Sequence, residues 1–204
     1  MTQEKKSGGF PLFPFLGGLG LAYFLLMRPR LLTWGTQLGE AERQLPGDNL
    51  IIYPNMQATR AVDVAAPVEA VWRWLEIMGR DGVGYYNTER FPYGTRLMKR
   101  NLPAPVVGTL LDNEHRVLQV EAPCYLLTGG FNVPLLSGGR GDLTTLYFVE
   151  ERGRERSRLL IRLRGYTYGA GSLFHNLLRE PVDFFQTLNQ LNNLKMLAES
   201  SPHE

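Results

Sequence analysis

The clearest pattern along the chain is the alternation of apolar and polar side chains in four short stretches. A period of two is typical of strands whose sheet has one buried and one solvated face, and such sheets are usually antiparallel. The strongest case places Leu159, Ile161 and Leu163 on one face and three arginines on the other. The pattern predicts strands over residues 59–64, 116–121, 143–150 and 157–165.

Two other stretches have the three- and four-residue spacing of helices. The first begins near Pro67 and ends at Gly79, and its apolar stripe around Trp72 predicts a helix that packs on the core. The second begins near Pro181 and runs to Glu199. Its apolar side carries Val182, Phe185, Leu188, Leu191 and Leu194, and its polar side, which we expect to be solvated, carries Gln186, Asn189, Gln190, Asn192 and Asn193.

This order of elements predicts an α+β fold with a helix-grip arrangement, in which a curved antiparallel sheet wraps around a long C-terminal helix. A sheet that grips a helix often leaves an apolar cavity between them, where a ligand binds. The predicted organisation is an apolar segment over residues 1–30, a connector over residues 31–58 and the helix-grip domain over residues 59–199.

The N-terminal segment differs from the rest of the chain. Residues 7–27 form a run of 21 residues without a charge, and Lys5, Lys6, Arg28 and Arg30 flank it. A helix of this length just crosses the hydrocarbon core of a bilayer, about 30 Å. We therefore expect a membrane anchor or an interfacial helix and a membrane-associated protein. The alternative is an apolar arm that packs on the protein's own body in the cytoplasm.

Composition excludes several classes of protein. The chain of 204 residues has 22 basic and 20 acidic side chains, a net charge of +2, and lacks the basic excess of a polyanion binder, so we expect no nucleic-acid partner. The single cysteine, Cys124, has apolar neighbours and is expected to be a buried, inert thiol. His115, His175 and His203 lack metal-ligand spacing, and we expect neither a metal nor a cofactor.

Short motifs recur in a characteristic order along the chain. They are Trp34-Gly35-Thr36, Leu45-Pro46-Gly47-Asp48, Thr59-Arg60-Ala61, Ala66-Pro67, Val71-Trp72-Arg73-Trp74-Leu75, Met78-Gly79, Glu180-Pro181-Val182-Asp183-Phe184-Phe185 and Lys195-Met196-Leu197. Together they span about residues 33–199 and resemble the SRPBCC superfamily, the START-like helix-grip proteins that include a polyketide cyclase/dehydrase-like group. The resemblance implies a pocket for a hydrophobic ligand, and it implies no single reaction because the superfamily holds carriers, receptors and cyclases alike.

The leading hypothesis is a noncatalytic protein that binds a lipid or another hydrophobic small molecule and is held at a membrane by residues 7–27. Apolar side chains in the cavity would supply affinity through desolvation. The residues expected to line it are Val62, Trp72, Leu118, Val120, Phe148, Ile161, Leu163 and Phe185.

The rival hypothesis is an enzyme of the cyclase or dehydratase type that acts on an apolar or polyketide-like substrate. Arg60, Tyr85, Tyr86 or His175 would then stabilise a developing enolate or move a proton. For Arg60, a strand-end ion pair is the structural alternative. A third hypothesis, a membrane-tethered protein-interaction module, predicts a filled core and an exposed apolar patch. Unpaired polar side chains converging inside the cavity would favour the enzyme.

Overall fold

The structure is a computed structural model that describes residues 20–80, 83–87, 102–111, 115–134, 139–169 and 172–201, without the side chains of residues 173–175. A π-helical turn, Tyr23–Met27, continues into the α-helix α1, Arg28–Leu32, and together they are called the N-terminal helix. The other helices are α2, Val68–Ile77, and α3, Ser172–Glu199. The strands are β1, Met56–Val64; β2, Arg116–Glu121; β3, Tyr125–Pro134; β4, Arg140–Glu151; and β5, Ser157–Thr167.

The five strands form one sheet in the order β1-β5-β4-β3-β2, and every neighbouring pair is antiparallel. Helices α2 and α3 pack on one side of this sheet, called the helix face. The predicted α+β helix-grip architecture is therefore confirmed. Strand β3 was not predicted, because Leu126 and Leu127 are adjacent apolar residues that break the alternation. Leu126 lies in the core of the helix face and Leu127 in a cluster on the opposite face.

The main core fills the space between the sheet, α2 and the C-terminal half of α3. Trp74 and Leu75 from α2, Ile161 from β5, and Leu191 and Leu194 from α3 are all buried in it. This end of the interface is a continuous apolar cluster, as the stripe on α2 predicts.

Helix α3 is longer than the sequence predicts. It begins at Ser172 rather than near Pro181, and Pro181 lies inside it. Proline is favoured in the first turn of a helix and costs a backbone hydrogen bond in the interior, so the predicted start near Pro181 is wrong. The added turns bring Asn176 and Arg179 over the sheet.

The face of the sheet opposite the helices is covered rather than solvated, contrary to the prediction. A segment of the connector over residues 33–54, called the strap, lies across it. Arg158 is 2% exposed and donates from Nε and Nη2 to the Glu40 carboxylate, both at 2.6 Å. Arg162 Nη1 donates to Asp48 Oδ2 at 2.7 Å, and Arg164 Nη1 lies 3.3 Å from Asp48 Oδ1. The strand arginines that alternate with apolar residues therefore bind the strap.

The prediction of a buried cysteine is wrong. Cys124 is exposed and not buried, because it lies in the turn between β2 and β3.

Of the predicted anchor, residues 7–19 lie outside the described residues. Within the described ranges, no helix combines the length and apolar character needed to cross a membrane. The described part of the anchor carries exposed apolar side chains, namely Leu21, Phe24, Leu25, Leu26 and Met27.

Candidate functional site

A cavity of about 70 Å³ lies between the N-terminal part of α3 and the helix face of the sheet. Met56, Val133 and Leu143 supply apolar walls, while Gly141 and Gly165 face the cavity from β4 and β5. Glycine weakens a strand interior and commonly marks a place where another group approaches the backbone closely. At Gly165 an added Cβ would meet its nearest neighbours only at 3.5–4.0 Å, so the missing side chain there leaves space for the cavity.

The helix face next to this cavity is less tightly covered than the core at the other end. Leu143 on β4 pairs with Gly165 on β5, and Thr145 pairs with Leu163 in the same register. Leu143, Thr145 and Leu163 are only half-buried, whereas Ile161, one pleat further along, is fully buried. A strip of partly accessible apolar surface therefore extends from the cavity toward the core.

Two polar side chains that line the cavity are hydrogen-bonded to other groups of the protein. Asn176 on α3 is buried and donates from Nδ2 to Asn55 Oδ1 at 3.0 Å. Asp142 accepts a hydrogen bond from the Asn132 backbone N–H at 2.8 Å through Oδ1 and one from the Tyr168 hydroxyl through Oδ2. Asn176 and Asp142 are thus both engaged by other groups of the protein, an arrangement that stabilises the edge of the cavity.

Arg179 and His115 also border the cavity. Arg179 Nε lies 3.3 Å from both carboxylate oxygens of Asp183, one turn further along α3. The Arg179 side chain is about one-third exposed, with a relative accessibility of 35%. The site therefore combines apolar walls with a partly accessible guanidinium at its edge.

Arg60, the first catalytic candidate, lies outside this cavity lining and is completely buried. Its Nε donates to the Leu31 carbonyl at 2.8 Å, and its Nη1 donates to Thr187 Oγ1 at 2.9 Å and to the Asp183 carbonyl at 3.3 Å. Its guanidinium also lies over the Phe184 ring, 5.4 Å from the centroid. These partners are neutral, and the described part of the chain shows no strand-end ion pair for Arg60.

The pKa of Arg60 follows from this environment. Burial lowers it to about 10, and the negative charges of Asp183 and Glu180 oppose the decrease. Its Nη2 is buried without a hydrogen-bond partner. Arg60 nevertheless stays protonated at neutral pH, and its contacts join β1, α3 and the end of the N-terminal helix. These contacts give it a structural role.

The tyrosine candidates, Tyr85 and Tyr86, accept hydrogen bonds from the side of α3 that the sequence predicts to be solvated. Gln190 Nε2 donates to the Tyr85 carbonyl and to the Tyr147 hydroxyl, the latter at 3.1 Å. Asn193 Nδ2 donates to the Tyr86 carbonyl at 2.8 Å. Gln190 and Asn193 are buried, so the prediction of a solvated face is wrong for these two residues. An uncharged polar face on a long helix fits a buried position as well as a solvated one.

The hydroxyl of Tyr86 is buried and donates to the Trp74 carbonyl at 3.0 Å. Burial raises its pKa well above the ordinary value of a phenol. Burial likewise raises the pKa of Tyr147, although the hydrogen bond from Gln190 partly opposes the increase. Neither phenol is poised to lose a proton near neutral pH. The side chain of His175, the remaining catalytic candidate, lies outside the described residues.

The eight predicted ligand-binding residues occupy three different places. Trp72 and Ile161 are buried in the main core, and Val62, Val120 and Leu163 pack against it partly buried. The remaining three do not lie between the sheet and α3, so their predicted placement is corrected. Leu118 and Phe148 pack under the strap, and Phe185 is 62% exposed on the outer side of α3.

Strand geometry explains these corrections. A register shift between Val117 and Gln119 interrupts β2, and Val117 and Val120 both lie toward the helix face, whereas Leu118 packs on the strap side. In β4, Tyr147 occupies the helix face, so its neighbour Phe148 lies on the other. Because both faces are apolar, the alternation alone does not tell which set of residues meets the helices.

None of the eight residues lines the described cavity. The residues that do line it, such as Met56, Leu143, Asn176 and Arg179, were not predicted. The signal that could have found them is glycine inside a predicted strand. Gly165 ends the strongest alternating stretch and faces the same side as Ile161 and Leu163.

The order β1-β5-β4-β3-β2, with a long C-terminal helix across one face and α2 inserted between β1 and β2, decides the fold. The chain has the helix-grip fold. The motifs over residues 33–199 resemble the SRPBCC superfamily with its polyketide cyclase-like group, and this is the fold that the resemblance implies.

Comparison with known proteins gives the following. No family model and no curated protein matches the chain. The Zhui aromatase/cyclase from Streptomyces sp. R1128 is 17% identical over 71% of this chain and 93% of its own, with a TM-score of 0.40. A conserved protein from Geobacillus kaustophilus is 12% identical over 72% and 98%, with a TM-score of 0.41. A norcoclaurine synthase point mutant from Thalictrum flavum is 12% identical over 66% and 93%, with a TM-score of 0.36.

Proposed function

We propose that this SRPBCC-fold chain is a noncatalytic binding protein for a hydrophobic small molecule or lipid, and that its N-terminal segment associates with a membrane. The bound molecule enters the cavity beside Gly165 with one end, and its remaining apolar part lies along Leu143, Thr145 and Leu163. The single observation that carries this proposal is the half-buried strip on the helix face, because a core side chain is normally buried completely.

The small size of the cavity defines how the molecule binds. Complete small-molecule sites are usually about 300–1,000 Å³, and the described cavity is about 70 Å³. It therefore accommodates one end of a slender apolar chain rather than an entire ring system. Desolvation of the strip and of the ligand supplies the affinity, at about 25 cal/mol for each Å² of apolar surface.

The pairing of polar groups supports binding over catalysis. Arg60 and Tyr86 both bind backbone carbonyls, and Asn176 and Asp142 bind other groups of the protein. A general acid or base needs a pKa near the working pH and access to the substrate. Burial moves the pKa values of Tyr86 and Tyr147 away from neutrality, which makes proton transfer by either of them unfavourable.

The N-terminal segment supports the membrane part of the proposal. Exposed apolar side chains such as Phe24, Leu25 and Leu26 form a surface that water solvates poorly. They end an uncharged sequence run of 21 residues, and Arg28 and Arg30 follow directly. Apolar side chains next to cations are typical of a helix that lies in the interface of an anionic membrane.

The proposal is tested with octanol, an uncharged alcohol with an eight-carbon alkyl chain, in a ligand-detected NMR titration of the full chain. We expect saturable binding to the wild type and at least tenfold weaker binding to Gly165→Val, whose side chain fills the cavity. A Cβ at this position would meet its nearest neighbours at 3.5–4.0 Å, which is ordinary van der Waals contact, so the backbone accepts a side chain here. The control is Tyr166→Phe, on the other face of the same strand. Equal affinity of Gly165→Val and wild type would refute the proposed site.

A further inference from the structure

The edge of the cavity holds a guanidinium with free hydrogen-bonding capacity. An arginine side chain has five N–H donors. The described contacts of Arg179 use Nε alone, which points to Asp183 at 3.3 Å, and its two terminal nitrogens bind no described residue. Because the side chain is about one-third exposed, water solvates these nitrogens in the absence of another partner. They are available to a ligand at the cavity edge.

Among the described residues that line the cavity, the other charged and titratable groups leave Arg179 as the accessible cation. Asp142 is the acidic residue of the lining, and its carboxylate accepts hydrogen bonds from the Asn132 N–H and the Tyr168 hydroxyl. Asp183 does not line the cavity and lies behind Arg179, on the Nε side. His115 lines the cavity from the start of β2 and has an interaction of its own.

We infer that the molecule bound in this cavity is an amphiphile with a carboxylate or phosphate end, which Arg179 binds while the apolar part occupies the walls formed by Met56, Leu143 and Gly165. This inference rests on the proposed function and adds the chemical class of the ligand. A planar guanidinium matches the geometry of a carboxylate or phosphate and forms two parallel hydrogen bonds with it. A free fatty acid and a lipid phosphate share this chemistry.

The position of Arg179 makes such binding favourable. An anion at the partly exposed edge keeps part of its hydration, whereas an anion inside the apolar cavity would lose all of it. The chain of the ligand can then lie against apolar side chains while its charged end remains at the surface. Arg179 is therefore a ligand-binding residue of the proposed site, distinct from Arg60, whose guanidinium is buried beneath α3.

The test compares octanol, nonanoate and octyl phosphate, which share an eight-carbon alkyl chain and differ in the end group, in NMR titrations of the full chain. We expect the wild type to bind at least one of the two anions more tightly than octanol. Arg179→Gln should weaken binding of that anion about tenfold, the effect of losing a charge-assisted hydrogen bond, and should change octanol binding less than twofold. Arg179→Lys, which keeps the charge, should lose less than Arg179→Gln. The anion that binds more tightly shows whether the natural ligand ends in a carboxylate or in a phosphate.

The possible outcomes separate this inference from the proposed function. If octanol binds in a Gly165-dependent manner but Arg179→Gln leaves anion binding unchanged, the anionic class is wrong and the apolar site stands. If Arg179→Gln weakens octanol and the anions equally, Arg179 only maintains the shape of the cavity, and the inference is overturned. If none of the three probes binds the wild type, the proposed function itself fails.

Discussion

Arg28 forms a two-point ion pair with Glu180, with Nε–Oε2 at 2.8 Å and Nη2–Oε1 at 2.6 Å. The Glu180 side chain is 1% exposed, so the pair is shielded from solvent on one side and is stronger than an ordinary surface pair. The hydrogen bond to Glu180 raises the pKa of Arg28. Because Arg179 is the neighbour of Glu180 in α3, the apolar N-terminal helix is attached close to the edge of the cavity.

Loss of this pair should release the N-terminal helix. Glu180→Gln removes the negative charge that binds Arg28, and we expect tryptic cleavage after Arg30 to become about tenfold faster, since about 1.4 kcal/mol of local stability corresponds to that factor. Cleavage is followed by mass spectrometry under native conditions. The exposed Glu69→Gln on α2 is the control and should not change the rate. An unchanged rate in Glu180→Gln would show that other contacts hold the helix.

Membrane association should depend on the N-terminal helix. The wild-type chain is expected to float with anionic phospholipid vesicles, and Leu25→Glu to partition at least tenfold less, because a buried leucine contributes about 1.5–3 kcal/mol and the new carboxylate is repelled. Leu25 and Leu38 are both exposed, and Leu38 lies on the strap. Leu38→Glu is therefore the matched control and should float like the wild type. A wild-type chain that stays with the unbound fraction would contradict the membrane proposal.

Glu40 should make stability depend on pH. Burial favours a higher pKa for Glu40, but the hydrogen bonds from Arg158 and the Gln37 N–H, with the charges of Arg158 and Arg43, outweigh burial and lower its pKa below the ordinary 4.5. The folded chain thus binds the Glu40 proton less tightly than the unfolded chain. The ionised carboxylate therefore stabilises the fold above pH 4.5, and this contribution is lost as the pH falls through the folded-state pKa.

Denaturant unfolding measures this contribution. Glu40→Gln should lower the free energy of unfolding by about 3 kcal/mol at pH 7, the usual cost of removing one partner of a buried ion pair. The difference between variant and wild type should decrease below pH 4.5. The neighbouring Glu42→Gln is exposed and should have little effect at any pH. A difference that is the same at pH 3 and pH 7 would exclude the ionisation of Glu40 as its cause.

Close approach of the strap to β1 should make Gly35 irreplaceable. Gly35 and Gly39 both have a positive φ, +74° and +83°, but a Cβ on Gly35 would lie 2.1 Å from the Ala61 carbonyl oxygen, whereas one on Gly39 meets nothing within 4 Å. We expect Gly39→Ala to cost about 1–2 kcal/mol for the left-handed conformation alone. Gly35→Ala should cost at least 2 kcal/mol more, as measured by urea unfolding. Equal losses would show that the strap moves away without penalty.

Local patterns were sufficient to predict the fold but not the coverage of the sheet. The alternation in β5 and the apolar stripe on α2 both indicate a face that packs against an apolar layer. The core between the sheet and the helices is that layer. The arginines of β5 alternate just as solvated residues do, because an arginine that binds Glu40 or Asp48 of the strap is as polar as one in water. Only the tertiary position of the strap distinguishes the two cases.

The cavity was harder to predict than the core for a related reason. A prediction of lining residues selects large apolar side chains, and such side chains fill space, as Ile161 and Trp72 do. The cavity instead depends on residues that leave space, above all Gly165, and on the extra N-terminal turns of α3 that bring Asn176 and Arg179 over it. The interior position of Pro181 concealed those turns.

The most direct test of the account is a methyl NMR titration of the full chain with octanol. Binding beside Gly165 on the helix face predicts shift changes for the methyl groups of Met56, Leu143 and Leu163. The methyl groups of Leu127 and Leu146, which lie under the strap, should not move. Saturable shifts confined to the first group are the expected result. Shifts confined to the second group, or no saturable shift in either, would contradict a ligand site between the sheet and α3.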